Sequence, residues 1–305
     1  MNRMASGNDE TWRDILMVCC PDLVVRGYRY TQQGWDSVTL LVNDEMIVRI
    51  ARRPDVAERL GREARLLPAL AKHVPLAIPH FTRVCADPAV TGGARLVAYP
   101  AIDGISLAEK GVPAGHEDAS ATQLALFLTV LHRFPVSVAV QLGATGGSAN
   151  EWRQEYRAFY EEIRQHVFPL LSMDERAYTV ALWEGFLGDD ACFAFEPRLI
   201  HRDLVPDHIF RNRDSGQLTG IIDWGDASIG DPAIDFSGLY CDISPAFSES
   251  ILEQYGLPME SSFWRRVRFY ASISPFYEIR FGQNEGYATH IGHGLEALRD
   301  RIRQV

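Results

Sequence analysis

The chain has 305 residues, 47% of them hydrophobic and 23% charged, with a formal net charge of −10; a chain of this length can bury a large core and is expected to form two lobes. Acidity of this size argues against a nucleic-acid or anionic-membrane partner and suits a cationic small molecule. Five cysteines, Cys19, Cys20, Cys85, Cys192 and Cys241, give an odd count without a C-x-x-C pair; with a polar N-terminus and no apolar run of roughly 18 residues, this predicts no disulfide framework, no membrane span and a cytoplasmic location.

Glu10 to Cys20 place Ile15, Leu16, Val18 and Cys19 at near-helical spacing before Pro21, which predicts a short amphipathic helix lidding a sheet. From Tyr28 the texture turns to strands: Tyr28 to Tyr30, the turn Gln33-Gly34, Ser37 to Val42, the turn Asn43-Asp44, and Met46 to Ile50. The turn from Gln33 to Ser37 can lay backbone N–H groups and the Ser37 hydroxyl over a phosphate chain, although an ordinary hairpin is the competing reading. Arg49 projects from the third strand, and a helix follows from Val56 to Lys72 with Leu60, Leu66, Leu67 and Leu70 along one side. Glu63 on it can reach back and hold the Arg49 guanidinium against a phosphate; alternatively it pairs with Arg59 or Arg62 on a solvated face.

Ile78 to Val84 and Arg95 to Tyr99 read as two more strands around the turn-rich Asp87 to Gly93, followed by the connector Tyr99 to Gly104. The lobe boundary is placed there: a sheet-rich, nucleotide-binding lobe over residues 1–100 and a larger catalytic and substrate-binding helical lobe over 101–305. Gln123 to Phe134 is apolar over most of its surface, hence a buried helix, with His132 a core histidine. Further helices are expected over Trp152 to Phe168, Asp174 to Leu187, Ser262 to Glu278 and Ile291 to Arg303, and Asp231-Pro232 opens another as N-cap and first-turn proline.

The chemistry concentrates in Arg198 to Phe236. Leu199-Ile200 leads into His201-Arg202-Asp203; after a turn at Asp214-Ser215-Gly216, the run Leu218 to Ile222 ends in Asp223. Two short strands brought together by that hairpin turn are expected to carry Asp203 and Asp223 at their ends, one carboxylate as proton acceptor and one as metal ligand. His201-Arg202-Asp203-x-x-x-x-His208 followed by Asp223-Trp224-Gly225 has the arrangement of a phosphoryl-transfer site, in which a ligand five residues after Asp203 joins Asp223 in holding Mg²⁺ on the phosphates. A capping aspartate would account for Asp203 alone, but not for His201, His208 and Asp223 with it. Asp207, Asp226 and Asp231 read as caps and loop bonds.

LIHRDLVPDHIF, IIDWGDASIGDPAIDF, MIVRIAR, the helix around Glu63 and YPAIDG occur together in order, and on these motifs the chain resembles the aminoglycoside phosphotransferase family, kinase-like enzymes that phosphorylate antibiotic hydroxyls. The resemblance extends along nearly the whole chain. It implies an α+β, protein-kinase-like bilobal fold with a small antiparallel-sheet N-lobe and a larger, mostly helical C-lobe. It makes Asp203 the catalytic base, His208 and Asp223 the magnesium ligands, Arg49 the phosphate grip with Glu63 its partner, Tyr99 to Ile102 the nucleotide hinge, Ile222 a wall under the base and Asp235 an anchor of the catalytic loop.

Two positions depart from the family pattern. His208 stands where most such enzymes have asparagine, as in the 2''-aminoglycoside and macrolide branches, and Arg49 stands where lysine is usual, the two lysines Lys72 and Lys110 lying elsewhere. The tail FYASISPFYEIRFGQNEGY looks like that of 2''-aminoglycoside phosphotransferases. That likeness makes Tyr277 and Glu278 candidate acceptor contacts, and Glu278, Asp242 and Glu249 are candidates for an acidic pocket, because each ammonium of a polyamine sugar wants a carboxylate. The expected activity is transfer of the γ-phosphoryl group of ATP or GTP to an aminoglycoside hydroxyl by a monomer. A macrolide, cyclic peptide or other metabolite is the alternative acceptor, and a catalytically silent kinase-like binding protein the alternative class.

Overall fold

The computed structural model describes residues 9–31, 37–51, 53–86 and 95–303. The predicted turn at Gln33-Gly34 and the stretch from Asp87 to Gly93 lie outside the described residues. Contacts divide the chain into two units, Met1–Ala144 with Asp207–Ala227, and Thr145–Pro206 with Ser228–Val305.

In the first unit, α1 (Asp9–Cys19) precedes an antiparallel sheet of β1 (Tyr28–Tyr30), β2 (Ser37–Val42), β3 (Met46–Ala51), β4 (Arg83–Cys85) and β5 (Leu96–Pro100) in the order β1-β2-β3-β5-β4. Asn43 and Asp44 turn β2 into β3 with φ of 55° and 58°, the left-handed pair that matches strand twist in a two-residue hairpin. The period-two alternation of strands separates the two faces. Val48 and Ile50 of β3, with Leu40, Val42, Leu96 and Ala98, pack on Ile15, Leu16 and Cys19 of α1 and on Cys20 just after it, so that α1 lids that face as predicted. Ala51 and Val97 face the other way onto Val56 and Leu60 of α2 (Pro54–Leu70), and Arg49, two residues before Ala51, shares their face.

Two expectations for this sheet need correction. The strand predicted from Ile78 to Val84 forms only over Arg83–Cys85, because Pro79 has no ladder donor and Ala77 turns elsewhere: its N–H donates to Thr219 and its carbonyl accepts from Ile221. Cys19 and Cys85, 66 residues apart in sequence, form a disulfide that the odd cysteine count gave no reason to expect; Cys20, Cys192 and Cys241 are free.

The same unit holds a second sheet in the order β10-β9-β6, built from β6 (Ile105–Ser106), β9 (Ile209–Arg211) and β10 (Leu218–Ile221). The turn at Asp214 to Gly216 joins β9 to β10, with Leu218 opposite Arg211 and Ile221 opposite Ile209. The expected hairpin between Leu199-Ile200 and Leu218 to Ile222 is therefore corrected; the three-residue β9 had no alternation long enough to announce it. Ile105 pairs with Arg211, and at Gly104, with φ +120°, an added Cβ would lie 2.2 Å from the Arg211 carbonyl oxygen. This pairing keeps residues beyond the connector with the first unit, whose first segment runs to Ala144. Helices α3 (Leu107–Lys110), α4 (Glu117–His132) and α5 (Val136–Gln141) complete it; α4 is buried through Leu124, Phe127, Leu128, Leu131 and His132, as predicted.

In the second unit, β7 (Thr145–Gly146), β8 (Arg198–Ile200) and β11 (Ser228–Gly230) form a sheet in the order β7-β11-β8. Around it run α6 (Ala149–Glu162), α7 (Met173–Leu187), α8 (Ser237–Asp242), α9 (Pro245–Glu253), α10 (Phe263–Glu285) and α11 (Ala288–Arg303). Capping boxes, Ser148 with Glu151 and Ser172 with Glu175, start α6 and α7. The helix predicted through Phe168 leaves α geometry after Glu162, passing through a π turn at Ile163–Val167 into a 3-10 turn that holds Pro169, where a donor is missing. An aromatic core forms from residues at helical spacing: the Phe186 and Phe269 rings stack at 3.6 Å, Tyr160 stacks on Trp183 at 5.3 Å, and Trp152 meets Tyr156 at 5.3 Å. Among the described residues no helix is long and apolar enough to cross a membrane.

Candidate active site

In the first unit the chemistry gathers on the α2 side of the sheet. Arg49, 8% exposed, donates through Nη1 to Glu63 Oε2 at 3.0 Å and through Nη2 to Asp223 Oδ1 at 3.4 Å. The predicted Arg49–Glu63 pair is thus formed, and the pairing of Glu63 with Arg59 is not what the structure shows: Arg59 binds Asp55 and Asp226. Burial pushes the Glu63 carboxyl up to about 7, Arg49 opposing and Asp223 adding to the rise. Its second oxygen, Oε1, is buried with no hydrogen-bond partner among the described residues. For Arg49, burial works against the charge but is outweighed by Glu63 and Asp223, so the guanidinium is held above its ordinary pKa. Tyr99, buried on β5, hydrogen-bonds Arg49, a contact the sequence did not announce; burial raises its hydroxyl.

Asp223 follows β10 with φ +62°, a left-handed conformation that non-glycine residues adopt where surroundings over-determine it. Its carboxylate Oδ2 lies 3.7 Å from His208 Nε2, and its side chain is 48% exposed. One carboxylate with an open face beside one imidazole fits Mg²⁺, which keeps several waters and takes phosphate oxygens to complete its shell. Among the described residues no group of three or more His, Cys, Asp or Glu side chains is placed to hold a metal ion. Ile222 sits between these features, its N–H donating to the His208 carbonyl at 2.9 Å. In the expected hinge, the Ala101 N–H donates to Glu45 at 2.7 Å and Ile102 packs at Gly220. Ser37 is buried at the start of β2, its hydroxyl 3.5 Å from that of Thr39.

Asp203 lies in the second unit. The N–H groups of His201 and Arg202 donate to the two carboxylate oxygens of Asp235 at 2.9 and 2.7 Å, the anchoring arrangement expected for Asp235. Arg202 has φ +72°; its guanidinium lies 5.0 Å from the Trp152 ring centroid and bonds Glu155. Asp231 caps the turn that carries Asp235 by accepting from the Ala233 N–H at 3.0 Å, and it also accepts from Tyr270 and Arg266, each at 2.7 Å. The cap was predicted, whereas the buried ion pair was not, because Arg266 lies 35 residues away.

The four acceptor candidates face different partners. Tyr277 stacks on Phe159 at 4.6 Å beside Tyr156 and, with Glu155 and Glu162, lines a cleft of about 270 Å³. Glu278 turns to His290 at 3.2 Å and His293 at 3.7 Å. Asp242 accepts from the Cys241 thiol, and Glu249 is exposed on α9. Glu155 and Phe159 escaped the sequence reading, although their i, i+4 spacing on α6 places them on one face.

The family model described as the Phosphotransferase enzyme family matches residues 28–270. Viomycin phosphotransferase of Streptomyces vinaceus is 25% identical over 304 residues, covering 95% of this chain and 99% of that protein. The solved GDP complex of wild-type aminoglycoside 2'-phosphotransferase-IIIa is 28% identical with a TM-score of 0.88, over 96% of this chain and 98% of that one. The GDP and kanamycin complex of APH(2")-IIia is likewise 28% identical, with a TM-score of 0.89 and the same coverage. These likenesses run over nearly the whole chain, and its α+β fold is theirs.

Proposed function

The chain belongs to the Phosphotransferase enzyme family, and from that premise we propose that it transfers the γ-phosphoryl group of ATP or GTP to a hydroxyl of an aminoglycoside antibiotic. The likeness to a GDP-bound aminoglycoside phosphotransferase over 96% of the chain carries the reading. In this reading Asp203 accepts the proton of the acceptor hydroxyl while the hydroxyl oxygen forms a bond to the γ-phosphorus. The bond from that phosphorus to the β–γ bridging oxygen breaks, and the nucleoside diphosphate leaves. Arg49 presents its guanidinium to the phosphates, held by Glu63, and Asp235 fixes the turn before Asp203 through two backbone N–H groups. Asp223 and His208 would hold Mg²⁺, which neutralises charge on the phosphates. The hinge and Ile222 receive the base, and Ser37 stands near the phosphate chain.

The acceptor is placed against Tyr277 and Glu278, with Asp242 and Glu249 as further contacts, in a monomeric cytoplasmic enzyme. The test is release of diphosphate from ATP and from GTP with kanamycin and other aminoglycosides, followed by mass and NMR assignment of the phosphorylated position. Absence of turnover with every aminoglycoside refutes the acceptor class. Asp203→Ala should lower kcat by about 10²–10⁴-fold with nucleotide binding retained; an unchanged rate removes Asp203 from catalysis and favours a silent binding protein. A second acceptor, viomycin or another peptide antibiotic, is supported by the Streptomyces relative and belongs in the same screen, with a macrolide beside it.

A further inference from the structure

We propose that Glu155 is a positioning residue for catalysis, acting on Asp203 through Arg202. The inference rests on the reading of Asp203 as the proton acceptor. Arg202 precedes Asp203 and is a non-glycine residue with φ +72°, a conformation that relaxes unless neighbours hold it. Asp235 holds the backbone on one side, through the His201 and Arg202 N–H groups. Two bonds to main-chain nitrogens leave the Arg202 side chain undirected. On the other side α6 takes hold of that side chain: its guanidinium lies over the Trp152 ring and bonds Glu155.

The ring is a fixed floor. Trp152 is 3% exposed, its indole N–H donates to Tyr270 at 2.9 Å, and Tyr270 donates to Asp231 at 2.7 Å. Glu155 follows Trp152 by three residues, so both project from one face of α6, and the Ser148–Glu151 capping box fixes the start of that helix. The clamp is therefore rigid where it meets Arg202. With the carboxylate neutralised, the guanidinium loses its charged partner, Arg202 is free to leave the left-handed region, and the peptide leading to Asp203 rotates with it. Glu155 is about half exposed, its side chain 49% accessible, so the pair itself contributes little to folding. Its effect is on aim.

Steady-state kinetics of Glu155→Gln, Arg202→Met and the double variant, with Asp203→Ala alongside, test the proposal. Misplacement of a reacting group by about 1 Å can cost about 10²-fold, and Glu155→Gln is expected to lower kcat by about 10- to 100-fold. The KM for nucleotide should stay within about twofold and the melting temperature within about 2 °C. The double variant should be no slower than Arg202→Met alone, because one residue acts through the other, and Glu155→Asp should regain most of the rate. An unchanged kcat in Glu155→Gln, a loss confined to KM, or losses that multiply in the double variant would overturn the proposal. If Asp203→Ala keeps the parental rate, it is the catalytic reading of Asp203 that fails.

Discussion

Arg266→Met should unfold the second unit at a lower temperature in a way that acid partly repairs. The side chains of Arg266 and Asp231 are both 0% exposed, with Nε to Oδ2 at 2.7 Å. The substitution leaves the Asp231 carboxylate with the Tyr270 hydroxyl and the Ala233 N–H as donors, but takes away its guanidinium. A buried pair broken from one side costs about 3–5 kcal/mol, which at about 2–4 °C per kcal/mol is a fall in melting temperature of about 6–20 °C. Burial raises the Asp231 carboxyl and Arg266 opposes that rise, so removing Arg266 lifts it further. A carboxyl whose folded pKa exceeds its unfolded value stabilises the fold below the unfolded pKa and loses that stabilisation as pH rises through the folded one. The deficit of Arg266→Met against wild type should accordingly be largest at neutral pH and shrink as pH falls toward the ordinary value of 3.8. Asp231→Asn combined with Arg266→Met should melt above Arg266→Met alone, since no fully buried charge is left unpaired, Glu260, the other carboxylate on Arg266, being partly exposed. Thermal melts from pH 4.5 to 7.5 read all three outcomes. A variant that melts within about 2 °C of wild type at pH 7, or a deficit that ignores pH, refutes the stranded-charge reasoning.

Gly230→Ala places a Cβ 2.3 Å from Trp152 Cζ3 and 2.9 Å from Ile200 Cδ1; overpacking of about 1–3 kcal/mol should appear in urea melts, and full wild-type stability would show that the ring has room to move. Burial pushes Glu63 up to about 7 from an ordinary 4.5, so its contribution is full below about 4.5 and lost as pH rises through about 7. Glu63→Gln does not titrate, and the stability of wild type relative to it should decline across that window; a flat difference between pH 4 and 8 contradicts the burial argument. The Cys19–Cys85 disulfide spans 66 residues, for which loop-closure entropy gives about 4 kcal/mol. Reductant should therefore lower the melting temperature of wild type and leave that of Cys85→Ser unmoved.

How far the sequence could be read depended on the range over which each feature is specified. The Asn43-Asp44 hairpin, the two sheet faces of β3 and the buried α4 follow from local alternation and helical spacing, and all were legible. Arg49 with Glu63 was legible because strand and helix are adjacent in sequence, and Asp235, 33 and 34 residues from the N–H groups it accepts from, only through the family resemblance of its motif. What escaped is specified at long range: the β6–β9 pairing that carries residues 207–227 into the first unit, the Cys19–Cys85 bond, and the Asp231–Arg266 pair. The grip of α6 on Arg202 escaped for the same reason, since nothing near Glu155 in the chain marks it as the partner of a residue 47 positions on. Of the acceptor candidates on α8 to α10, Tyr277 and Glu278 rested on the likeness of the tail and Asp242 and Glu249 on charge, and charge does not say which way a helix turns a side chain.

The first unit is not one continuous stretch: residues 145–206 are inserted before Asp207–Ala227 returns to it. During synthesis this imposes an order of events. At about 5–20 residues per second, the ribosome spends roughly 3–12 s on the insertion. For that interval β6 waits without β9, and Ala77 without the strand it will bond. A nascent chain holding an unpaired edge for seconds invites pairing with a neighbour on the same message. A truncated gene ending at Ala144 would make that wait permanent, and its product should be recovered in aggregates.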